Sequence, residues 1–392
     1  TIKVDAITDE AGTGAPNFPN GLTGDGSALT GISAFKPVAV TGTTPSLDVG
    51  TYNFFNQGGI TADTTISFAS VPTDARWQYS YIATVDPSTL NDLDTAVFSG
   101  QSFALESSPQ GIFFKPDGLK MYHISGSNQL NEYNLSIAFD LSTAIYLQMK
   151  SLGSPISNTR DFSFKPDGLS LYFSDLNNDR IYQFTLSTAW DISTATSASK
   201  SLSTIAQGTY PVGLDFSSDG TKVFLLEYTG STIYQYTLST AWDISTGSYA
   251  SKSFVLEESG FGYFSFSSDG LTILTAINTG SATDVVRQYG LSTAWDISTA
   301  SYSSKTFLVG SYDAGPSGIA IIDGGNSFAV VGSGTTSAYK FNTALPYALT
   351  IPAAVVGGVS PLATASVGAS TTLDFITDDA GATVTLISEE II

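Results

Sequence analysis

Residues 161–195 read Asp161-Phe-Ser-Phe-Lys-Pro-Asp-Gly-Leu-Ser-Leu-Tyr-Phe-Ser-Asp-Leu-Asn-Asn-Asp-Arg-Ile-Tyr-Gln-Phe-Thr-Leu-Ser-Thr-Ala-Trp-Asp-Ile-Ser-Thr-Ala195. The phrase returns in copies that begin at Gly111, Gly213 and Tyr263, and a weaker fifth copy runs from Gly318 to Ala344. Two markers keep the beat. The turn aspartates Asp117, Asp167, Asp219 and Asp269 stand 50, 52 and 50 residues apart, and the loop aspartates Asp140, Asp191, Asp243 and Asp296 stand 51, 52 and 53 apart. A fixed period of this size is the mark of a repeat architecture.

Inside each copy the pattern is that of strands. Ile181-Tyr-Gln-Phe-Thr-Leu186 and Ile233-Tyr-Gln-Tyr-Thr-Leu238 alternate with period two, which places alternate side chains on opposite faces of a sheet. The Asp-Gly pairs supply the positive φ angles that a short hairpin needs. A last strand ends at Lys200-Ser-Leu, Lys252-Ser-Phe or Lys305-Thr-Phe. Four antiparallel strands in about fifty residues make one propeller blade. A lone blade cannot bury both of its faces, so the copies must stack around an axis. The fifth copy has three strands and then loses the pattern, while an unmatched strand, Ala96-Val-Phe-Ser-Gly-Gln-Ser-Phe-Ala-Leu105, precedes the first full copy. The expectation is an all-β chain with a five-bladed propeller over residues 96–345, its last blade completed by that N-terminal strand. A six-bladed ring is the alternative, with Trp77-Gln-Tyr-Ser-Tyr-Ile-Ala-Thr-Val85 in an additional composite blade.

The flanks are different material. Residues 1–35 are rich in Gly, Pro, Asn and Thr and have no periodic apolar face, so they read as an extended arm that becomes ordered on a partner. Ile2, Val4, Ile7, Phe18 and Leu22 are its candidate anchoring residues. Residues 36–95 and 346–392 contain short strand-like runs, and the economical arrangement is one small β-sandwich-like domain made from both flanks.

The 392 residues carry 15 basic and 35 acidic side chains, a net charge of -20. A polyanion gains no counterion release from another polyanion, which argues against nucleic acid as a partner. No cysteine is present, which removes disulfides, thiolate metal sites and cysteine nucleophiles from consideration. No apolar run reaches the ~18 residues of a membrane span, so membrane insertion is not expected.

The candidate chemistry is thin. Trp190-Asp191, Trp242-Asp243 and Trp295-Asp296 share one loop position, filled by Phe139-Asp140 in the first copy. An exposed ring there would stack on a sugar. Recurrence in every copy favours packing between blades, with the aspartate capping the next turn. The turn aspartates read as hairpin chemistry. Asp175, Asn177 and Asp179 have the opening spacing of a calcium loop without its glycine or closing glutamate, so a polar hairpin tip is expected and no metal. The acidic and basic residues near the inner strands are Glu106, Arg160, Asp161, Asp215, Glu257, Glu258 and Asp313. A glycosidase would need two of these carboxylates projecting from different blades into one pocket, and no motif selects a pair. His123, the one histidine, lies on an alternating strand. No catalytic residue and no cofactor is assigned.

The stretch Ala11-Gly-Thr-Gly-Ala-Pro-Asn-Phe-Pro-Asn-Gly-Leu-Thr-Gly-Asp-Gly-Ser-Ala-Leu-Thr-Gly-Ile32 resembles N-terminal segments of structural proteins from marine short-tailed phages, cyanophages above all. Leu47-Asp-Val-Gly-Thr-Tyr-Asn-Phe-Phe55 and Gly59-Ile-Thr-Ala-Asp-Thr-Thr-Ile-Ser-Phe68 resemble β modules of phage tail fibres, and the Leu-Ser-Thr-Ala-Trp-Asp-Ile-Ser-Thr repeats resemble propeller repeats of marine viral and microbial proteins. The resemblance implies a non-enzymatic virion structural protein of tail-fibre or decoration type. Its arm would bind other virion proteins, its propeller would face a host-surface glycan, and its state would be a homo-oligomer, a trimer by analogy with fibres. The alternatives are a polysaccharide-active glycosidase or a ligand-free cement protein on the same propeller.

Overall fold

The computed structural model describes residues 91–343 in full, together with the backbone of ten strands outside that stretch: Val38–Ala39, Ser46–Asp48, Phe54–Ile60, Thr64–Thr65, Ser67–Ala69, Trp77–Val85, Leu349–Thr350, Val355–Val356, Ser370–Thr377 and Val384–Ile391. The anchoring candidates Ile2, Val4, Ile7, Phe18 and Leu22 lie outside the described residues. The chain divides into two compact units, one holding the flanking strands and the other the repeats.

In the first unit, strands from both flanks share one six-stranded sheet. Trp77–Val85 pairs antiparallel with Ser370–Thr377, which pairs antiparallel with Val384–Ile391. The Trp77 segment therefore belongs to this sheet and adds no sixth blade.

The second unit is a ring of five four-stranded antiparallel blades. The innermost strands are Pro109–Phe114, Thr159–Phe164, Pro211–Phe216, Phe261–Phe266 and Pro316–Ile322, and they neighbour one another around the axis. In the first four blades the chain then steps outward strand by strand. The fifth blade takes its outer strand from the other end of the ring: Val97–Ala104 pairs antiparallel with Ser337–Asn342, Phe98 opposite Phe341. Burial follows this order. Ser327–Gly332, a second strand, is buried at every position, whereas the outermost strand Gly247–Val255 alternates between exposed and half-buried residues.

Each blade is pinned at its first hairpin. In Lys115-Pro-Asp-Gly118 the glycine N–H donates to the Lys115 carbonyl (2.8 Å), and Asp117 accepts the Leu119 N–H (3.1 Å). Only the glycine of the pair takes a positive φ, 72°. Proline at the second position and glycine at the last suit this turn, and aspartate acts through its side chain. The glycine is also where the outer loop docks. The N–H of Trp190 donates to the Gly168 carbonyl (3.0 Å), and a Cβ on Gly168 would lie 2.5 Å from the Trp190 ring. Phe139 on Gly118, Trp242 on Gly220 and Trp295 on Gly270 repeat the arrangement, each aromatic at positive φ.

The fifth blade does the same with Asn91, at φ 60°, whose N–H donates to the Gly325 carbonyl (3.0 Å). Asp92 then caps the short helical turn Leu93–Thr95 as Asp191 caps Ile192–Thr194. The loop of the fifth blade therefore begins at Asn91.

These capped turns seam the ring. The first N–H of each turn is accepted by a side chain of the preceding blade: Ile244 by Gln183 (3.1 Å), Ile297 by Gln235 (3.0 Å), Leu93 by Gln288 (3.1 Å) and Leu141 by Gln101 (3.1 Å). At the first-to-second seam Glu132 takes the glutamine's place before Ile192, at 3.5 Å. Beside the glutamines run ion pairs from the outer strand to the next blade's capping aspartate: Lys200–Asp243 (2.7 Å), Lys252–Asp296 (2.5 Å) and Lys305–Asp92 (2.6 Å).

The two halves of a seam should differ in energy. Replacing Gln235 by Ala leaves the buried Ile297 N–H without a partner, a loss of roughly 1–3 kcal/mol. Replacing the partly exposed Lys252 by Ala should lose less than about 1 kcal/mol. Urea unfolding of the two variants measures both, and a larger loss for Lys252→Ala would show that the ion pair, not the amide, holds the seam.

Candidate functional site

The five innermost strands enclose a cavity of about 330 Å³ on the axis. Its wall includes Phe113, Phe162, Phe264 and Ile319, and two carboxylates, Asp161 and Asp215, enter it from the second and third blades. It extends toward the first hairpins, reaching Lys115, Pro116 and Ser268.

At the start of the innermost strands other residues close ranks. Arg160 donates through Nη1 to the Gln110 side-chain oxygen (2.9 Å), which also accepts the Tyr263 hydroxyl (2.9 Å). These contacts join the first, second and fourth blades across the axis. Arg160 also lies over the Phe261 ring, 5.3 Å from its centre.

The two axial carboxylates are bonded in the same manner. Asp161 accepts the Phe162 N–H with Oδ1 (2.9 Å) and the Leu214 N–H of the next blade with Oδ2 (2.9 Å). Asp215 accepts Phe216 N–H (2.8 Å) and, again in the next blade, Phe266 N–H (2.9 Å). In the fourth blade Ser265 does the equivalent, its Oγ accepting the Ile321 N–H at 3.1 Å. Each carboxylate thus ties two inner strands together. Burial raises both: Asp161 goes well above the ordinary carboxylate range, with Asp215 adding repulsion, and Asp215 goes up to about 6, the backbone N–H groups pulling against the shift in each case. A raised carboxylate favours the native state at low pH and loses that contribution as pH climbs through its folded value.

The other sequence candidates sit elsewhere. Asp313 accepts the N–H groups of Gly315, Gly334 and Thr335. Glu258 pairs with Arg287 at 3.1 Å. Glu106 and Glu257 are exposed, their backbone N–H groups donating to Tyr133 and Tyr289 hydroxyls. Asp175 is fully buried and accepts four N–H groups, those of Ser157, Asn158, Asn177 and Asn178. Its oxygens organise the hairpin tip. Asp167, Asp219 and Asp269 accept within their turns as Asp117 does.

Trp190, Trp242 and Trp295 are half-buried. Trp190 lies 5.1 Å from Phe164 of its own blade and 6.3 Å from Phe113 of the preceding one; Trp242 spans Phe216 and Tyr172, and Trp295 spans Phe266 and Phe224, in the same way. They cover the turn glycines and bridge the seams.

His123 has no solvent exposure. Nε2 meets the Tyr133 hydroxyl at 3.0 Å, and Nδ1 lies 3.3 Å from the Ile124 carbonyl.

No family model and no curated protein matches the chain. Solved structures resemble it at low identity. A functionally unknown protein from Desulfotomaculum acetoxidans DSM 771 superposes at TM-score 0.38 with 13% identity, over 58% of this chain and 66% of that one. A chain of a mitotic checkpoint complex gives 0.35 and 11%, over 57% and 59%. The periplasmic gluconolactonase PpgL of Pseudomonas aeruginosa gives 0.36 and 12%, over 72% of each. The chain spans less than two thirds of the first two, and none of these likenesses carries a functional argument. Among the described residues no helix is long and apolar enough to cross a membrane.

His123 sets a pH test. Burial lowers its pKa from 6.5 to about 4. The unfolded chain therefore binds a proton between these values that the native state refuses, and native stability falls as pH drops through that window. The full effect is on the order of 3 kcal/mol. The stability difference between wild type and His123→Gln should shift by that amount from pH 7 to pH 4, in the variant's favour. A difference constant with pH would mean that His123 takes up its proton in the native state as readily as in the unfolded chain.

Proposed function

We propose that this chain is a non-catalytic display and recognition protein of a viral particle, carried by its N-terminal segment, with a propeller that contacts glycan. One observation carries the non-catalytic part. The two carboxylates that face the axial cavity each accept one N–H in their own strand and one across the blade seam. An acid and base pair must exchange protons with substrate, and these groups are held in the ring's inner seam instead. The viral part rests on the resemblance of residues 11–32 and 47–68 to phage structural proteins. A homo-oligomer, a trimer by the same resemblance, belongs to this reading.

A second reading, a glycoside hydrolase, is favoured by the raised pKa values of Asp161 and Asp215 beside a cavity of about 330 Å³. Elevated acids in a concave site are what general acid catalysis uses.

Two measurements separate these. Asp215→Asn replaces one acceptor oxygen by a donor facing an N–H, and should lower stability by roughly 1–3 kcal/mol. The intact chain, incubated with polysaccharides, should release no reducing ends. Hydrolysis that Asp215→Asn abolishes while melting is unchanged would establish the hydrolase. For the display role, a chain lacking residues 1–35 should melt as wild type yet fail to enter particles; normal incorporation would remove the arm from that role.

A further inference from the structure

Three aromatic side chains near the start of the innermost strands break the symmetry of the repeat. Tyr210, in the loop entering the third blade, is 44% exposed. Its ring meets Tyr228 edge to face at 6.3 Å, and Tyr228 stacks flat on Phe261 of the fourth blade, 4.1 Å between centres and 8° from parallel. Arg160 covers Phe261 in turn. The other blades place Pro109, Thr159, Pro211 and Pro316 where Phe261 stands, and Ser108, Asn158, Gly260 and Gly315 where Tyr210 stands. Packing imposed by the repeat would recur in every blade, as the tryptophan loops nearly do. This stack occurs at one seam.

Arg160 is a second, independent feature. Among the described residues it makes no ion pair, and its Nε–H is shut from solvent without a partner. Lys150, Arg180, Lys222 and Lys340 also stand outside the ion pairs, but among the described cations only Arg160 has a buried donor without a partner. With Nε shut from solvent and Nη1 on Gln110, a carboxylate or sulfate would meet this guanidinium through its Nη edge and its charge. An exposed aromatic shelf recognises the apolar C–H face of a sugar ring.

We propose that this seam binds an anionic oligosaccharide, a chain of uronate or sulfated hexose, with one sugar stacked on the exposed Tyr210 ring, which Tyr228 and Phe261 hold in place, and a charged group further along the chain at Arg160. This site rests on the glycan-binding reading above and assigns it a place and a ligand class. It is separate from the axial cavity, whose wall includes neither tyrosine.

The test is calorimetric titration of the full chain with oligogalacturonate and with sulfated carrageenan oligosaccharides. Laminarin oligosaccharides serve as the neutral control and poly-glutamate as the charge control. At least one anionic oligosaccharide should bind more tightly than either control. Tyr210→Ala, at an exposed position, should weaken that binding about tenfold or more with no change in melting temperature. Arg160→Gln should remove the preference for anionic over neutral sugar, and Arg160→Lys should restore part of it. Failure of both anionic probes to bind overturns the site, as does equal binding of poly-glutamate. Binding that survives Tyr210→Ala overturns the site while leaving glycan recognition elsewhere on the ring intact. Release of reducing ends would instead overturn the non-catalytic reading and leave the shelf to be judged by the Tyr210 result.

Discussion

The first N–H of each outer loop's helical turn is the constraint on which the ring depends. The aspartate at the cap accepts the N–H two residues on, so the N–H of Ile192, Ile244, Ile297, Leu93 or Leu141 must look outside its blade. A buried donor without a partner is expensive, and the partner is supplied by a long side chain of the preceding blade. Each blade is therefore complete only beside a neighbour. An open stack would leave one turn unsatisfied at its end. Closing the ring satisfies all five, and closure in turn requires that Asn91–Ala104 be carried across to the blade that begins at Pro316.

The seam explains what the sequence could convey. The repeat, the Asp-Gly hairpins and the crossing of Val97–Ala104 to the last blade were legible, because each is local chemistry repeated at a fixed period. The fifth loop was harder. Asp92-Leu-Asp-Thr-Ala96 does match Asp140-Leu-Ser-Thr-Ala144, but an asparagine stands in the aromatic position. Its contact is with Gly325, more than two hundred residues away. The seam partners also change identity. Gln183, Gln235 and Gln288 lie opposite Lys200, Lys252 and Lys305. In the first blade Glu132 faces Gln148, and the amide of Gln148 reaches Asp191 (3.0 Å) while Glu132 takes the turn N–H. In the fifth blade Gln101 supplies the acceptor from the outer strand. Such exchanges keep the bond and lose the motif. The roles of Asp161 and Asp215 were equally illegible, because their partners, Leu214 and Phe266, lie one blade onward and only the closed ring brings them near.

The acidic surplus also has a structural origin. Aspartate in this fold is mainly an acceptor for backbone N–H groups: in the hairpin turns, at the capped loops, across the inner seam, and in the tips organised by Asp175, Asp284 and Asp313. A short side chain with two oxygens suits such positions, where asparagine would offer one oxygen and a competing donor. Repeating that device around a ring accumulates negative charge without any partner requiring it. Residues 91–343 hold 22 of the 35 acidic side chains and 12 of the 15 basic ones, and within them much of the acidic surplus is a consequence of how the turns are built.

Against that background most cations of the described residues have a plain role: Lys120 and Arg287 pair with glutamates, and Lys150, Arg180 and Lys222 bond neutral oxygens. Lys115, Lys165, Lys200, Lys252 and Lys305 answer aspartates within a turn or across a seam. Arg160 adjoins Asp161 in sequence, yet that carboxylate turns to the Phe162 and Leu214 N–H groups, and its burial holds it toward the protonated form. The guanidinium is left with an amide oxygen, the face of Phe261 and its own full charge. Neither of those contacts neutralises it, and the repeat does not require it, since Gln110, Val212, Gly262 and Ser317 occupy its place in the other blades. The five-fold pattern accounts for the aspartates and tryptophans as parts of the ring. The one-fold exception beside the aromatic shelf is where we propose that recognition acts.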